Sequence, residues 1–318
     1  MITIKVPGKI HLLGEHTVVY GKPALLTAID LAATITLSPL EKKVRQTKKD
    51  PYDTNAFALQ NAIEKAIQKK CHIKKIPPYF IRVESDIPIG YGLGSSAAIS
   101  AGYTAVLLSH LKIDWDLKLV NEIAYQGEKI FHGNPSGADN TTVIFGGFVW
   151  YRKELESLKV FHPIEQKIHP KIGQFFLIDS GKPAETTKDL VQMVSVKRKT
   201  SSVKFDKIFS EQEQLTKDLL VALVDGETDQ MIDIIRKGQR NLEKIGVVGK
   251  KAQSIIREVE KIGGAGKILG GGGISEGSGM LLAYHKDSKK LLNLLKEKNW
   301  SYHKIKVGQP GLTEKDNL

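Results

Sequence analysis

Apolar and polar residues alternate at the start of the chain and recur at helical spacing in several later stretches. Ile2-Thr-Ile-Lys-Val alternates as a first strand, which Pro7-Gly8 ends. Ala28 to Leu37 is a second, β-branched strand interrupted by Asp30, and Lys42 to Asp50 is an exposed hairpin or loop. Asn55 to Lys69 places Ala56, Leu59, Ile63, Ala66 and Ile67 on one helical stripe. Tyr79 to Asp86 alternates again as a strand, and Ser95 to Leu111, without a charge, reads as a buried helix. Asp114 to His132 carries a stripe of Val120, Ile123, Ala124, Gly127, Ile130 and Phe131. Val143-Ile-Phe, Gly146 to Arg152, Val160-Phe, Phe175 to Asp179 and Met280 to His285 read as further strands. Helices are expected from Pro183 to Leu223 with a break near Thr200-Ser-Ser, then over 229–242, 249–262 and 288–298. Gly263 to Gly279 is a glycine-rich segment, and Pro310 to Leu318 is a loose tail.

Length supports two domains, since 318 residues exceed the usual single core. No linker is visible, so the boundary falls in a compact connection, with one unit over 1–168 and a second over 169–318. No run reaches the roughly 18 apolar residues of a membrane span. The first residues lack the basic and apolar blocks of a signal peptide. Cys71 is alone, which excludes an internal disulfide framework and fits a reducing cytoplasm. The net charge of +12 comes mostly from scattered lysine, and its densest run, Lys197-Arg-Lys199, has no interleaved aromatics. That is a solvated surface rather than a nucleic-acid footprint.

The most distinctive stretch is Pro88-Ile-Gly-Tyr-Gly-Leu-Gly-Ser-Ser-Ala-Ala98, between a strand and a helix start. Gly90, Gly92 and Gly94 let backbone approach a ligand closely, and a helix N-terminus attracts an anion. Ser95 and Ser96 add hydroxyls that suit a cap or a metal. No lysine follows as in a P-loop, and the glycines do not space as GxGxxG. Phosphate binding and a plain glycine turn remain as the two readings of this loop alone.

Three other places carry candidate chemistry. Lys9, Glu15 and His16 lie in an otherwise apolar stretch, either as a buried Lys–Glu pair with a core histidine or at the mouth of a cleft. Glu128 points with the apolar stripe of its helix, so it needs a basic side chain or a metal ion as partner. Asp139 sits in a polar turn, where an aspartate commonly bonds its own backbone.

Taken together, these segments resemble the superfamily of galactokinases, homoserine kinases, mevalonate kinases and phosphomevalonate kinases. Lys9-Ile-x-Leu-x-Gly-Glu-His-Thr-Val-Val-Tyr-Gly-x-Pro-Ala-Leu25 resembles the first motif of the mevalonate kinases, and Pro88 to Ala98 the second. Glu128-Lys-x-x-His-Gly-Asn-Pro-Ser-Gly-Ala-Asp-Asn-Thr141 resembles their signature for metal ligand and base, and Leu242 to Val247 their carboxy-terminal half. The resemblance implies an α+β fold with a mixed-sheet N-terminal domain carrying the phosphate-loop helix. An α/β-sandwich-like C-terminal domain would close the cleft.

It also implies roles. ATP phosphates would lie on Pro88, Gly90, Gly92, Leu93, Gly94, Ser95, Ser96, Ala97 and Ala98, with Mg2+ held by Ser96 and Glu128. Asp139 would be the base and Lys9 the charge stabiliser beside it, with Glu15 and His16 shaping a mevalonate pocket. The reaction would be an early step toward isoprenoids. Neither nucleic acid nor membrane is implied as partner. Mevalonate kinases often form homodimers, and nothing in the sequence establishes one here. The family's third motif is altered: Leu269 replaces the usual threonine, and Ile274, Ser275 and Glu276 are inserted. A sister kinase acting on phosphomevalonate or another small alcohol, or a non-catalytic nucleotide-binding regulator, are the rival readings.

Overall fold

The computed structural model describes residues 1–40, 53–133 and 135–315. The loop expected over Lys42 to Asp50 lies outside them. In chain order the elements are β1 (Ile2–Leu13), β2 (Ala24–Pro39), α1 (Asp53–Lys70), β3 (Tyr79–Ser85), α2 (Ser95–His110), α3 (Leu117–His132), α4 (Ala138–Phe145), β4 (Phe148–Lys153), β5 (Lys159–Ile164) and β6 (Phe175–Asp179). There follow α5 (Thr187–Thr200), α6 (Ser202–Asp225), α7 (Thr228–Ile245), α8 (Lys250–Lys261), β7 (Ala265–Ile268), β8 (Met280–Tyr284), α9 (Ser288–Glu297), β9 (Tyr302–Ile305) and β10 (Thr313–Lys315). The fold is α+β, as the resemblance implied.

A six-stranded sheet has the order β10-β1-β2-β4-β5, with β3 also paired to β2, and a four-stranded sheet has the order β7-β8-β6-β9. The break between α5 and α6 falls at Ser201, where it was expected. One apolar core joins the layers: Ile4, Ile10, Leu25 and Ile35 from the first sheet share it with Leu177 and Leu282 from the second. Against the first sheet lies α2, whose interior residues Ala98, Ala101, Ala105 and Val106 are fully buried. Small side chains let this helix sit close. A Cβ on Gly102 would fall 2.4 Å from Cδ1 of Ile35.

Four expectations needed correcting. Pro7-Gly8 does not end β1; the ladder with β2 shifts register there and continues to Leu13. A bulge tolerates the missing N–H of proline. Val143-Ile-Phe is helical, not a strand, because three apolar residues carry no period of their own. The hydroxyls of Thr141 and Thr142 bond back to the carbonyls of Gly137 and Ala138 in that helix. The glycine-rich segment contains β7, whose four residues are all buried. Lastly, the tail is not loose: Thr313–Lys315 pairs antiparallel with Lys5, Ile4 and Thr3, covering the open edge of β1.

Filling the contact between α2 and the sheet should cost stability directly. Gly102→Leu is expected to lose about 1–3 kcal/mol by overpacking, and more if Ile35 cannot shift. Denaturant unfolding would show this as a lower midpoint at unchanged slope.

Candidate active site

A cavity of about 890 Å³ opens between the two sheets and gathers most of the candidate residues. Lys9, Glu15, His16, Gly90, Gly92, Leu93, Gly94, Ser95, Ser96, Glu128 and Asp139 all line it. Pro88, Ala97 and Ala98 do not line it: Pro88 is half-buried outside the loop, and the two alanines are fully buried in the helix packing.

Lys9 arrives on β1, and its own N–H bonds the carbonyl of Leu93, which ties that strand to the glycine loop. The side chain is 1% exposed, so its charge has to be met inside the protein. Its ammonium lies 3.0 Å from Asp139 Oδ2, donates to Gly92 O at 3.2 Å and to His11 Nδ1 at 3.3 Å. An ammonium has three protons and accepts nothing, so all three are engaged and Nδ1 of His11 is the acceptor. The proton of that ring then sits on Nε2, 3.9 Å from Asp139 Oδ1. Burial pushes His11 well below its usual range, with Lys9 adding to the effect, which keeps the ring neutral. At Asp139 burial works against the charge, but the Lys9 ammonium outweighs it, so the carboxyl stays below its usual range. Asp139 is ionised yet 30% exposed to the cavity. It stands in the first turn of α4 rather than in the turn before it, where a carboxylate favours the helix dipole.

The loop beside this pair ends at Gly94, which precedes α2 with φ +78°. A Cβ there would fall 2.8 Å from Cγ of Lys9, so glycine is required on both counts. Among the described residues no side chain caps α2, and Oγ of Ser95 is buried without a hydrogen-bond partner. Unmet N–H groups, an orphaned hydroxyl and a glycine loop together have the chemistry that suits phosphate oxygens.

Glu128 is 1% exposed on the apolar face of α3, and among the described residues no lysine or arginine pairs with it. It accepts from Ser96 Oγ and Ser100 Oγ, each at 3.3 Å, and His132 Nε2 lies 3.6 Å away. Burial first, and the nearby charge of Asp139 second, push it up to about 8. A buried carboxylate beside a hydroxyl and without a basic partner has the chemistry of a cation site. Ser96 and Glu128 fit magnesium, which takes few protein oxygens and keeps waters and phosphates.

Of the two readings of Lys9, Glu15 and His16, the Lys9–Glu15 pair does not form, and all three line the cavity. Glu15 instead pairs with Lys267, which is fully buried and also donates to His11 O at 3.2 Å and Ile268 O at 2.7 Å. Oε2 of Glu15 has no hydrogen-bond partner among the described residues. His16, at φ +60°, bonds Gly271 O through Nε2 at 2.9 Å and leaves Nδ1 unpartnered. Lys267, His11, His132 and Ser100 were not singled out from the sequence. Two of them had a signal there: His132 lies within the Glu128 to Thr141 signature, and Lys267 opens the altered third motif. In that motif the glycines pack on the phosphate loop: a Cβ on Gly92 would fall 2.7 Å from Leu269 O. The inserted Ile274 to Glu276 turn out to the surface, where Glu185 accepts from the N–H groups of Ile274 and Ser275 at 3.1 and 3.0 Å.

The model of the GHMP kinase N-terminal domain matches residues 58–147. A mevalonate kinase of Archaeoglobus fulgidus is 31% identical over 84% of this chain and 88% of its own. Among solved structures, the Leishmania major (L. major) mevalonate kinase bound to R-mevalonate has a TM-score of 0.77 at 20% identity, over 96% of this chain and 95% of that one. A Streptococcus pneumoniae phosphomevalonate kinase has a TM-score of 0.78 at 14% identity, over 96% of this chain and 100% of that one.

Two outcomes follow from the charges. A raised folded pKa at Glu128 means that stability present in acid is lost as pH climbs from about 4.5 through about 8. Metal-free Glu128→Gln should therefore melt several degrees above the parent near pH 9 and at the same temperature near pH 4, by calorimetry. Lys267→Met strands a buried carboxylate and should cost about 3–5 kcal/mol. Adding Glu15→Gln to it should restore most of that loss in denaturant unfolding.

Proposed function

We propose, from the premise that this chain belongs to the mevalonate kinase family of the GHMP kinases, that Asp139 is the base of its phosphoryl transfer. The activity is the ATP-dependent phosphorylation of mevalonate, a step of isoprenoid synthesis. What carries the residue assignment is the contact of Lys9 and Asp139 at 3.0 Å, facing the cavity beside the phosphate loop.

In this reading the phosphates of ATP lie along Gly92 to Ser96, held by the N–H groups that open α2. Ser96 and Glu128 would hold magnesium, which would supply positive charge to offset that of the phosphates. Glu15 Oε2 and His16 Nδ1, both without partners among the described residues, would take the polar groups of the acceptor, with Val18, Val19 and Val191 as apolar wall. Asp139 accepts the proton of the primary hydroxyl as its oxygen forms a bond to the γ-phosphorus. The bond from that phosphorus to the bridging oxygen breaks, and ADP leaves with 5-phosphomevalonate as co-product. Lys9 keeps the base ionised before the step and offsets the charge that builds during it. We place the division between the two units at 168/169, with β10 crossing back to the first sheet.

Asp139→Asn keeps the size and removes the basic oxygen. Turnover is expected to fall about 10²–10⁴-fold while nucleotide binding by titration stays near the parent. Near-parent turnover would remove Asp139 from the role of base. Glu128→Gln should instead weaken the magnesium-dependent part of nucleotide binding, measured as the ratio of affinities with and without the metal.

A further inference from the structure

The segment that delivers Asp139 is held from behind by a group of side chains with no part in the chemistry described so far. Between α3 and α4 the carbonyls of three consecutive residues are each taken by a side chain. Tyr125 Oη and Lys153 Nζ donate to Pro135 O at 3.0 and 3.2 Å. Tyr151 Oη donates to Ser136 O at 2.6 Å, and Thr141 Oγ1 to Gly137 O at 2.7 Å. Tyr151 is 1% exposed and Lys153 8%, so these are bonds inside the protein. The two residues stand two apart on β4 and so share one face of the strand. Gly137, at φ +93°, passes directly over the phenol: a Cβ there would fall 2.6 Å from Tyr151 Oη. Lys153 is fixed in turn by Glu156 Oε2 at 2.8 Å, while Glu156 Oε1 lies 2.9 Å from Tyr125 Oη and shares that hydroxyl's single proton with Pro135 O.

Asp139 follows two residues after Gly137, so the peptide planes at 135 and 136 set where α4 begins and where its first-turn carboxylate points. We propose that Tyr151, assisted by Tyr125 and Lys153, is a positioning residue that holds Asp139 in register with Lys9 and the acceptor hydroxyl. This rests on Asp139 being the base. A displacement of about 1 Å in a reacting group can cost about 10²-fold in rate, so an O–H far from the substrate has leverage through one short segment.

The test is a kinetic cycle of Tyr151→Phe, Asp139→Asn and the double variant, with melting temperatures measured alongside. Tyr151→Phe should lower kcat about 10–100-fold and leave KM for mevalonate and for ATP within about twofold. In the Asp139→Asn background the same change should lower kcat no further, since a group acting only through Asp139 has nothing left to position. Parent-like kcat in Tyr151→Phe, or a full further loss in the double variant, would overturn the proposal even with Asp139→Asn inactive. If Asp139→Asn itself retains turnover, the assignment of the base fails first and takes this one with it. Should Tyr151→Phe not fold, Tyr125→Phe removes a half-redundant bond to the same segment. It should give a smaller loss of kcat with the same dependence on Asp139, and parent-like kcat there would count equally against the proposal.

Discussion

A lysine ammonium held inside the protein must spend every proton, and Lys9 spends its three on Asp139, the carbonyl of Gly92 and the ring of His11. Those partners come from the start of α4, the phosphate loop and β1. One buried charge therefore ties together Asp139, the glycine loop and β1. Much of the local backbone follows from it. β1 continues past the bulge at Pro7-Gly8 to bring Lys9 beneath the loop, and Gly94 is glycine because Lys9 runs where a Cβ would be.

The same cavity holds a second carboxylate without such a partner. Asp139 is kept ionised by Lys9, whereas Glu128, buried beside hydroxyls, is pushed toward its neutral form. Two carboxyl groups in one cleft are thus separated in role by their surroundings. In the proposed mechanism the first takes a proton and the second holds a cation. The pair of Glu15 and Lys267 adds a fixed wall on the acceptor side, braced by the carbonyls of His11 and Ile268.

Much of this was legible before the fold. Glu128 stood out because a carboxylate on an apolar stripe demands a partner, and the loop stood out because alternating glycines before a helix start have few uses. Less legible was everything that depends on distant chain segments meeting. Glu15 could not be matched to Lys267, 252 positions away, by any periodicity. The helix at Ala138–Phe145 was hidden in a run too short to show a period, and β10 was hidden in three polar residues whose strand character comes from the open edge of β1. Tyr151 and Lys153 read only as strand residues, since nothing local marks a side chain that serves a turn elsewhere.

Phosphomevalonate kinase shares this architecture closely, so the acceptor is the point on which the account is most exposed. The direct measurement is ADP release by the purified protein with ATP and magnesium, offered mevalonate, phosphomevalonate, galactose or homoserine in separate reactions. Turnover with mevalonate and none with the other three is the result expected. Turnover with phosphomevalonate or a sugar and none with mevalonate would contradict it.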